Sequence, residues 1–245
     1  MHQFGVAKTP DNKFALVFLF PYFNGFSSGN LSLYAKSRDY HLTVQEYLEK
    51  IKIFIKSLQP DFEGKCYCGV SPYNEKALAQ KAGLGFYGKN QLLINSAYGS
   101  FFFIGIIVTD TFFQEDLPLN LSCKGCNKCI EACPGNALGS NGFNKSLCGS
   151  EISQKKGDLS LQEREIFIKT GLIWGCDICQ NVCPHNENLE ITPLPEFSQN
   201  IMHSVTTKDL RGLSNKTFKK QFGNRAFSWR GKGVLERNLS IMSKT

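Results

Sequence analysis

Eight of the ten cysteines fall into two runs whose spacing suits ligation of iron–sulfur clusters. The first run consists of Cys123, Cys126, Cys129 and Cys133, followed by Pro134. The second consists of Cys176, Cys179 and Cys183, followed by Pro184, with Cys148 upstream of it. A C-x2-C-x2-C-x3-C-P run places four thiolates for [4Fe–4S] centres. We therefore predict two [4Fe–4S] clusters.

The ligands of each predicted cluster follow from the position of the proline. In two-cluster ferredoxins the cysteine just before the proline ligates the cluster of the other run. This rule assigns one cluster to Cys123, Cys126, Cys129 and Cys183. It assigns the other to Cys133, Cys148, Cys176 and Cys179, so that Cys148 fills the place that the shorter second run leaves open.

Zinc and disulfides are the alternative uses of these cysteines. Paired C-x2-C knuckles also bind zinc, although zinc sites seldom end in C-x3-C-P. Disulfides fit less well, because no cleavable leader is recognised and clusters survive in reducing surroundings. Cys66 and Cys68 have the wrong spacing for a ninth ligand, and we interpret them as small buried hydrophobic residues.

The composition is that of an ordinary globular protein. With 245 residues, 42% hydrophobic and 20% charged, the chain can bury one core and carry a smaller module. Its longest apolar stretches, 14–20 and 101–108, are shorter than the about 20 residues that cross a bilayer. We expect a cytoplasmic monomer without membrane association.

The net charge of +7 is concentrated near the end of the chain. From Lys208 onward there are ten basic residues and two acids. The basic residues alternate with rings: Lys216, Lys219, Lys220, Arg225 and Arg230 with Phe218, Phe222, Phe227 and Trp229. Cations that neutralise phosphates beside rings that stack on bases indicate nucleic-acid binding. The alternative is a solvated basic helix face whose aromatic residues belong to the core.

Several helices and strands are predicted around these motifs. Apolar runs predict strands at 14–20, 92–95 and 101–110, the last two joined by a turn at Tyr98 and Gly99. Thr43 and Glu46 form a capping-box pattern that opens a helix ending before Pro60. Further helices are predicted at 74–81 and, between the cysteine runs, at 160–170.

Two further segments carry a resemblance to a known family. They are Lys76-Ala-Leu-Ala-Gln-Lys-Ala-Gly-Leu-Gly-Phe-Tyr-Gly-Lys-Asn90 and Tyr34-Ala-Lys-Ser-Arg-Asp-Tyr-His41. In chain order, the 34–41 segment, the 76–90 segment and the two cysteine runs together resemble epoxyqueuosine reductases over about residues 10–240. The resemblance implies a cobalamin-dependent oxidoreductase with two [4Fe–4S] clusters, related to the reductive dehalogenases. Such an enzyme removes the oxygen of epoxyqueuosine in tRNA, the last step of queuosine biosynthesis.

The predicted fold class is α+β, with three parts along the chain. Residues 1–119 would form an α/β domain that binds cobalamin and substrate, and residues 120–195 a double-cluster domain like that of bacterial ferredoxins. Residues 196–245 would form a short basic helical segment that ends in the middle of a helix.

The resemblance also implies residues for the cofactor site. Those expected to contact cobalamin are Tyr34, Asn74, Lys76, Tyr87, Lys89, Asn90, Asp177 and Ile178. The cluster held by Cys176 and its partners would lie nearer the cobalt, and the other would take electrons from a ferredoxin or flavodoxin. His41 is expected to be structural, because the family binds cobalamin without a histidine below the cobalt.

The chain departs from the family pattern at the expected catalytic residue. The family carries Val-Asp-(Ser/Thr)-x-Pro ahead of the 76–90 segment, and its Asp is the proposed proton donor. Here the stretch is Cys68-Gly-Val-Ser-Pro72, so Gly69 stands at the acid's position and the catalytic residue is unknown. The chain is also shorter than the family at both ends.

Two other functions remain open at this point. A two-cluster ferredoxin would transfer electrons without a substrate of its own, although it needs only about 60 residues and would leave the first 119 unexplained. The other is a relative of the family with lost or altered activity, which Gly69 suggests.

Overall fold

The computed structural model describes residues 4–139 and 142–244, which form two compact units. The first unit contains residues 4–23, 40–125 and 185–194. The second contains residues 24–39, 126–184 and 195–244. The basic segment is therefore part of the unit that carries most of the cluster cysteines.

The first unit is built on a four-stranded antiparallel sheet with the order β1-β2-β6-β3. Its strands and those of a small two-stranded sheet are β1 Phe4–Lys8, β2 Phe14–Pro21, β3 Lys65–Tyr67, β4 Phe86–Tyr87, β5 Leu93–Ile94 and β6 Phe102–Thr109. The predicted strands at 14–20 and 101–110 are confirmed. The strand at 93–94 pairs with β4, whereas β6 pairs with β2 and β3. β5 and β6 therefore do not pair with each other, although a bridge between Asn95 and Gly99 closes the turn that connects them.

Two helices, α1 Tyr40–Leu58 and α2 Glu75–Lys81, pack against the strands of this sheet. Asn74 is the N-cap of α2, as its side chain accepts the amide of Ala77 at 3.1 Å. The predicted capping box of α1 is wrong. Thr43 lies fully buried inside the helix, which begins three residues earlier. Burial of the Thr43 face against the core outweighs its local preference for a helix end.

The second unit is mainly helical. Its elements are α3 Lys128–Glu131, β7 Leu138–Gly139, β8 Gly142–Phe143, α4 Gly149–Gln154, α5 Leu161–Thr170, α6 Ile178–Asn181, α7 Pro195–Ser198, α8 Thr207–Leu210, α9 Asn215–Phe222 and α10 Lys232–Met242. The predicted helix at 160–170 is confirmed, with a capping box of Ser160 and Glu163 and a left-handed Gly171 at its end. The overall α+β class is confirmed as well.

The basic segment packs into the core of this unit. Phe218, Phe222 and Phe227 are buried, and Met242 packs against the cluster of apolar side chains around Phe167. This aromatic content is therefore core, as the alternative interpretation held. Within the described residues, no helix has the length and apolar character needed to cross a membrane.

Candidate iron–sulfur and cofactor site

The two cysteine runs fold into equivalent turns. In the first turn, Cys126 is followed by the N-cap residue Asn127, with φ −117° and ψ 10°. In the second, Cys176 is followed by the N-cap residue Asp177, with nearly the same φ of −108° and ψ of 4°. The short helices α3 and α6 follow and contact each other. All ten cysteines are free thiols. The two similar cysteine runs therefore adopt similar structures, as expected for a ferredoxin-type double-cluster module.

The thiols of Cys133, Cys148, Cys176 and Cys179 influence one another electrostatically. Burial, together with the charges of Asp177, Cys148 and Cys133, raises the pKa of the Cys176 thiol to about 12. Burial likewise raises the pKa of Cys179, with added repulsion from these three thiols and, least, from Cys129. Such thiols stay protonated until a metal takes the place of the proton. The four residues therefore fit the predicted second cluster.

Two backbone amides donate to predicted ligand sulfurs. The amide of Lys89 lies 3.3 Å from the Cys123 Sγ, and that of Ala137 lies 3.3 Å from the Cys133 Sγ. Amide hydrogen bonds to cluster sulfurs stabilise their charge and tune the reduction potential. Among the described residues, no group of three or more His, Cys, Asp or Glu side chains forms a site for a single metal ion.

The residues predicted to contact cobalamin fall into two groups, and the first lies around α2. The Tyr87 hydroxyl donates to the Asn74 Oδ1 at 3.4 Å, and the Lys76 ammonium lies 5.8 Å from the centre of the Tyr87 ring. The same ammonium donates to the carbonyl of Gln91 at 2.8 Å, and burial lowers its pKa. The structure thus brings three of the predicted residues together. It commits the Asn74 oxygen to capping the helix.

Asn90 provides a test of whether this group fits a polar cofactor. Its side chain is buried, its Oδ1 accepts the amide of Leu92 at 3.2 Å, and its Nδ2 has no hydrogen-bond partner. A buried donor without a partner is costly, and an acceptor on a bound group would satisfy it. A Cβ on Gly88 would stand 2.5 Å from the Asn90 Oδ1, so only glycine fits beside this side chain. Lys89 is exposed.

The second group of predicted residues surrounds Asp177 in the second unit. The Asp177 carboxylate accepts the Leu33 amide at 2.7 Å and a hydrogen bond from the Ser32 hydroxyl. Burial raises its pKa, and these two hydrogen bonds and the charge of Lys36 oppose that rise. Sequence reasoning missed both residues: Ser32 lies outside the quoted motifs, and Lys36 lies within the 34–41 segment but was not singled out.

Tyr34 and Ile178 are the other predicted residues of this group. A Cβ on Gly175 would lie 3.0 Å from the Tyr34 ring and 2.3 Å from the Ser32 Cβ, so the chain needs glycine just before the Cys176 run. Ile178 opens α6 and is half-buried. Asp177 also faces a cavity of about 290 Å³. The cavity is lined by Phe26, Ser27, Ser28, Leu33, Lys36, Asp177 and Asn181.

Gly69 stands in a left-handed conformation, with φ of +72°. A Cβ there would lie 2.8 Å from the Nε2 of His41 and 3.2 Å from the hydroxyl oxygen of Tyr40. The amide of Gly69 donates to the Oε2 of Glu75 at 3.1 Å. The expected acid is therefore replaced by a glycine that is closely surrounded by titratable side chains.

The basic residues near the end of the chain have different roles. Lys216, Lys219 and Lys220 are exposed. Arg225 instead donates to the carbonyls of Lys36 and Asn200, at 2.9 and 2.8 Å, so the prediction that it contacts phosphate is not supported. The exposed Trp229 ring carries the Arg230 guanidinium at 3.7 Å from its centre.

The family model for a 4Fe-4S double cluster binding domain matches residues 122–186. This match confirms the prediction of two [4Fe–4S] clusters. It covers every cysteine of both runs and Cys148.

Curated relatives of this chain share one name. Epoxyqueuosine reductase of Listeria monocytogenes is 36% identical over 211 residues, which make up 83% of this chain and 54% of the relative. Epoxyqueuosine reductase of Synechocystis is 32% identical over 217 residues, or 86% of this chain and 74% of the relative. The chain spans little more than half the length of the epoxyqueuosine reductases of Listeria monocytogenes and Bacillus cereus.

A solved structure gives the same result. A crystal structure of epoxyqueuosine reductase with an epoxyqueuosine-modified tRNA-Tyr stem loop superposes with a TM-score of 0.81 at 30% identity. The match covers 94% of this chain and 63% of that protein.

Proposed function

Because this chain belongs to the epoxyqueuosine reductase family, we propose that it reduces epoxyqueuosine in tRNA to queuosine. The observation that carries the proposal is the combination of the double-cluster cysteines with the antiparallel-sheet unit and its polar group around α2. Two clusters alone would serve electron transfer. The additional unit supplies the buried polar side chains that a cofactor and a substrate need.

We propose that Cys123, Cys126, Cys129 and Cys183 hold one cluster, and that Cys133, Cys148, Cys176 and Cys179 hold the other. The fit rests on the shared electrostatics of the second set and on the amide donated to the Cys123 sulfur. A ferredoxin or flavodoxin would deliver electrons to the first cluster.

Cobalamin would supply low-valent cobalt for breaking the carbon–oxygen bond. The residues of this chain would bind and orient it. The Asn90 Nδ2 would donate to an acceptor on the corrin periphery, and Tyr87 and Lys76 would form a wall beside it. Tyr34, Asp177 and Ile178 would contact it as well, with the Asp177 carboxylate held in place by hydrogen bonds from Ser32 and Leu33.

The remaining proposals concern partners and location. Exposed lysines of α9 and the Trp229–Arg230 pair offer phosphate and base contacts for tRNA. We propose a monomeric protein that acts in the cytoplasm, where tRNA and reduced electron carriers are present.

One observation favours a second candidate. Gly69 removes the acid that the family is expected to use, which would suit a relative that binds the cofactors but acts on another substrate or on none. A plain two-cluster ferredoxin is disfavoured by the first unit, which such a protein does not need.

Metal and cofactor content separates these functions. Protein prepared without oxygen should contain about eight irons and one cobalt per chain, and its corrinoid absorption should survive desalting. Eight irons without retained corrinoid would support the ferredoxin, and one zinc without cobalt would end the cluster interpretation. The loaded protein, given a reductant and tRNA that carries epoxyqueuosine, should produce queuosine. Full loading without product would support the relative of altered activity.

A further inference from the structure

The space beside Gly69 is filled by a side chain from another element. The Nε2 of His41 lies 2.8 Å from the position that a Cβ on residue 69 would take. The oxygens of an aspartate stand two bonds beyond the Cβ, at about 2.4 Å. The imidazole nitrogen of His41 therefore lies at about the distance from residue 69 at which the oxygens of a carboxyl there would lie.

We propose that His41 is the proton donor of this protein, in place of the acid expected at position 69. The inference rests on the proposed function, since the proton is the one that the leaving oxygen of the epoxide requires. It also changes an expectation from the sequence, in which His41 was structural.

His41 is held firmly at this position. Its ring stacks on Tyr40, with ring centres 3.9 Å apart, and the Tyr40 ring stacks in turn on Phe103 of β6 at 4.2 Å. Both residues belong to the first turn of α1.

Glu75 provides the opposing charge. Its Oε2 is fixed by the amide of Gly69 at 3.1 Å, and its Oε1 is buried without a hydrogen-bond partner. Burial raises the pKa of this carboxyl, and the positive charge of His41 lowers it. This electrostatic interaction means that the Glu75 carboxyl and the His41 ring lie near each other. Glu75 is thus a positioning residue, and His41 is the group that meets the substrate.

The proposed step balances as follows. Removing the epoxide oxygen as water consumes two electrons and two protons, and the two carbon–oxygen bonds are replaced by a carbon–carbon double bond. The electrons come from a reductant of the ferredoxin or flavodoxin class. His41 gives one proton to the leaving oxygen and becomes neutral imidazole. The second proton comes from water, and solvent then protonates His41 again.

A stability cycle tests the geometry without any activity measurement. Gly69→Asp should lower the melting temperature of the wild-type holoprotein, because the new side chain is strained by the positive φ and collides with His41. In a His41→Ala background the collision is absent, so the same substitution should lower the melting temperature by less. Equal decreases in both backgrounds would show that the two side chains do not share this space, and would overturn the proposal.

Turnover tests the chemistry. His41→Ala and the better-packed His41→Gln should slow queuosine formation about 10²- to 10⁴-fold, the usual contribution of a general acid. Iron content, retained corrinoid and affinity for the tRNA stem loop should be unchanged. The double variant His41→Ala/Gly69→Asp should recover at least about tenfold, because the carboxyl then takes the vacated space. His203→Ala, which changes an exposed histidine of the second unit, is the matched control.

The outcomes separate the two proposals. A His41→Gln protein as fast as the wild type would overturn the role of His41 while leaving the proposed function intact. Loss of activity in Glu75→Gln but not in His41→Gln would assign the proton to Glu75 instead. A fully loaded wild-type protein that forms no queuosine would overturn the proposed function and the donor role together.

Discussion

Asn238 should be one of the residues of the basic segment that stabilise the second unit. It lies in α10 and is fully buried, and its Nδ2 donates to the carbonyls of Ser153 and Ile173, both at 2.7 Å. Ser153 belongs to α4, which begins directly after Cys148, and Ile173 lies three residues before Cys176. The side chain thus ties together two segments that carry ligands of one predicted cluster.

The magnitude of its loss follows from these bonds. Asn238→Leu keeps the approximate volume but removes both donors. A buried group left unsatisfied costs about 1–3 kcal/mol. The Ser153 carbonyl keeps a weak contact with Arg237 at 3.4 Å, so we expect a total of about 2–4 kcal/mol. For a chain of this size that corresponds to a decrease of about 4–16 °C in melting temperature.

The assay is thermal melting of the holoprotein without oxygen, followed by circular dichroism and by cluster absorption. Iron retained after desalting should fall as well, because Cys148 and Cys176 lose their common support. Asn215→Leu, at the exposed start of α9, is the matched control and should change stability by less than about 0.5 kcal/mol. A melting temperature of Asn238→Leu equal to that of the control would refute this reasoning.

Three further predictions concern the tRNA surface, the cofactor and pH. Replacing Lys216, Lys219 and Lys220 together with alanine should flatten the dependence of tRNA affinity on salt, by about 0.7–0.9 in log–log slope for each lost phosphate contact. Filter binding across a salt series measures this, and an unchanged slope would mean that these lysines are merely solvated. Asn90→Ala should weaken cobalamin binding about 2- to 10-fold by removing one hydrogen bond, with iron content unchanged, as corrinoid retention would show. Burial holds the pKa of Glu75 above 4.5, so its ionised form destabilises the fold at neutral pH. Glu75→Gln should therefore raise the melting temperature at pH 7, and this gain should disappear below pH 4.5; a gain independent of pH would contradict the shift.

The sequence predicted the two [4Fe–4S] clusters correctly because the signal for them is local. Each cysteine run is a short stretch whose spacing alone sets the turn, and α3 and α6 repeat that turn in the structure. The same holds for α2 and α5, whose ends are fixed by the side chains of Asn74 and Ser160. Local hydrogen bonds of this kind can be recognised without knowledge of the tertiary fold.

The predictions failed where distant packing decides. The Thr43 pattern satisfied the capping rule, but burial placed Thr43 inside α1. Arg225 looked like a phosphate contact, although its guanidinium binds the carbonyl of Lys36, which lies 189 residues earlier. The contact of His41 with Gly69 joins α1 to the loop before α2, so the residue that fills the missing acid's place could not be found from the sequence.

Complementation tests the central claim most directly. The chain is expressed in a strain that accumulates epoxyqueuosine because it lacks its own reductase, and the nucleosides of its tRNA are measured by mass spectrometry. Our account predicts that epoxyqueuosine declines and queuosine appears, and that Cys179→Ser abolishes the conversion. Unchanged epoxyqueuosine in cells that contain the protein loaded with iron and cobalamin would contradict it.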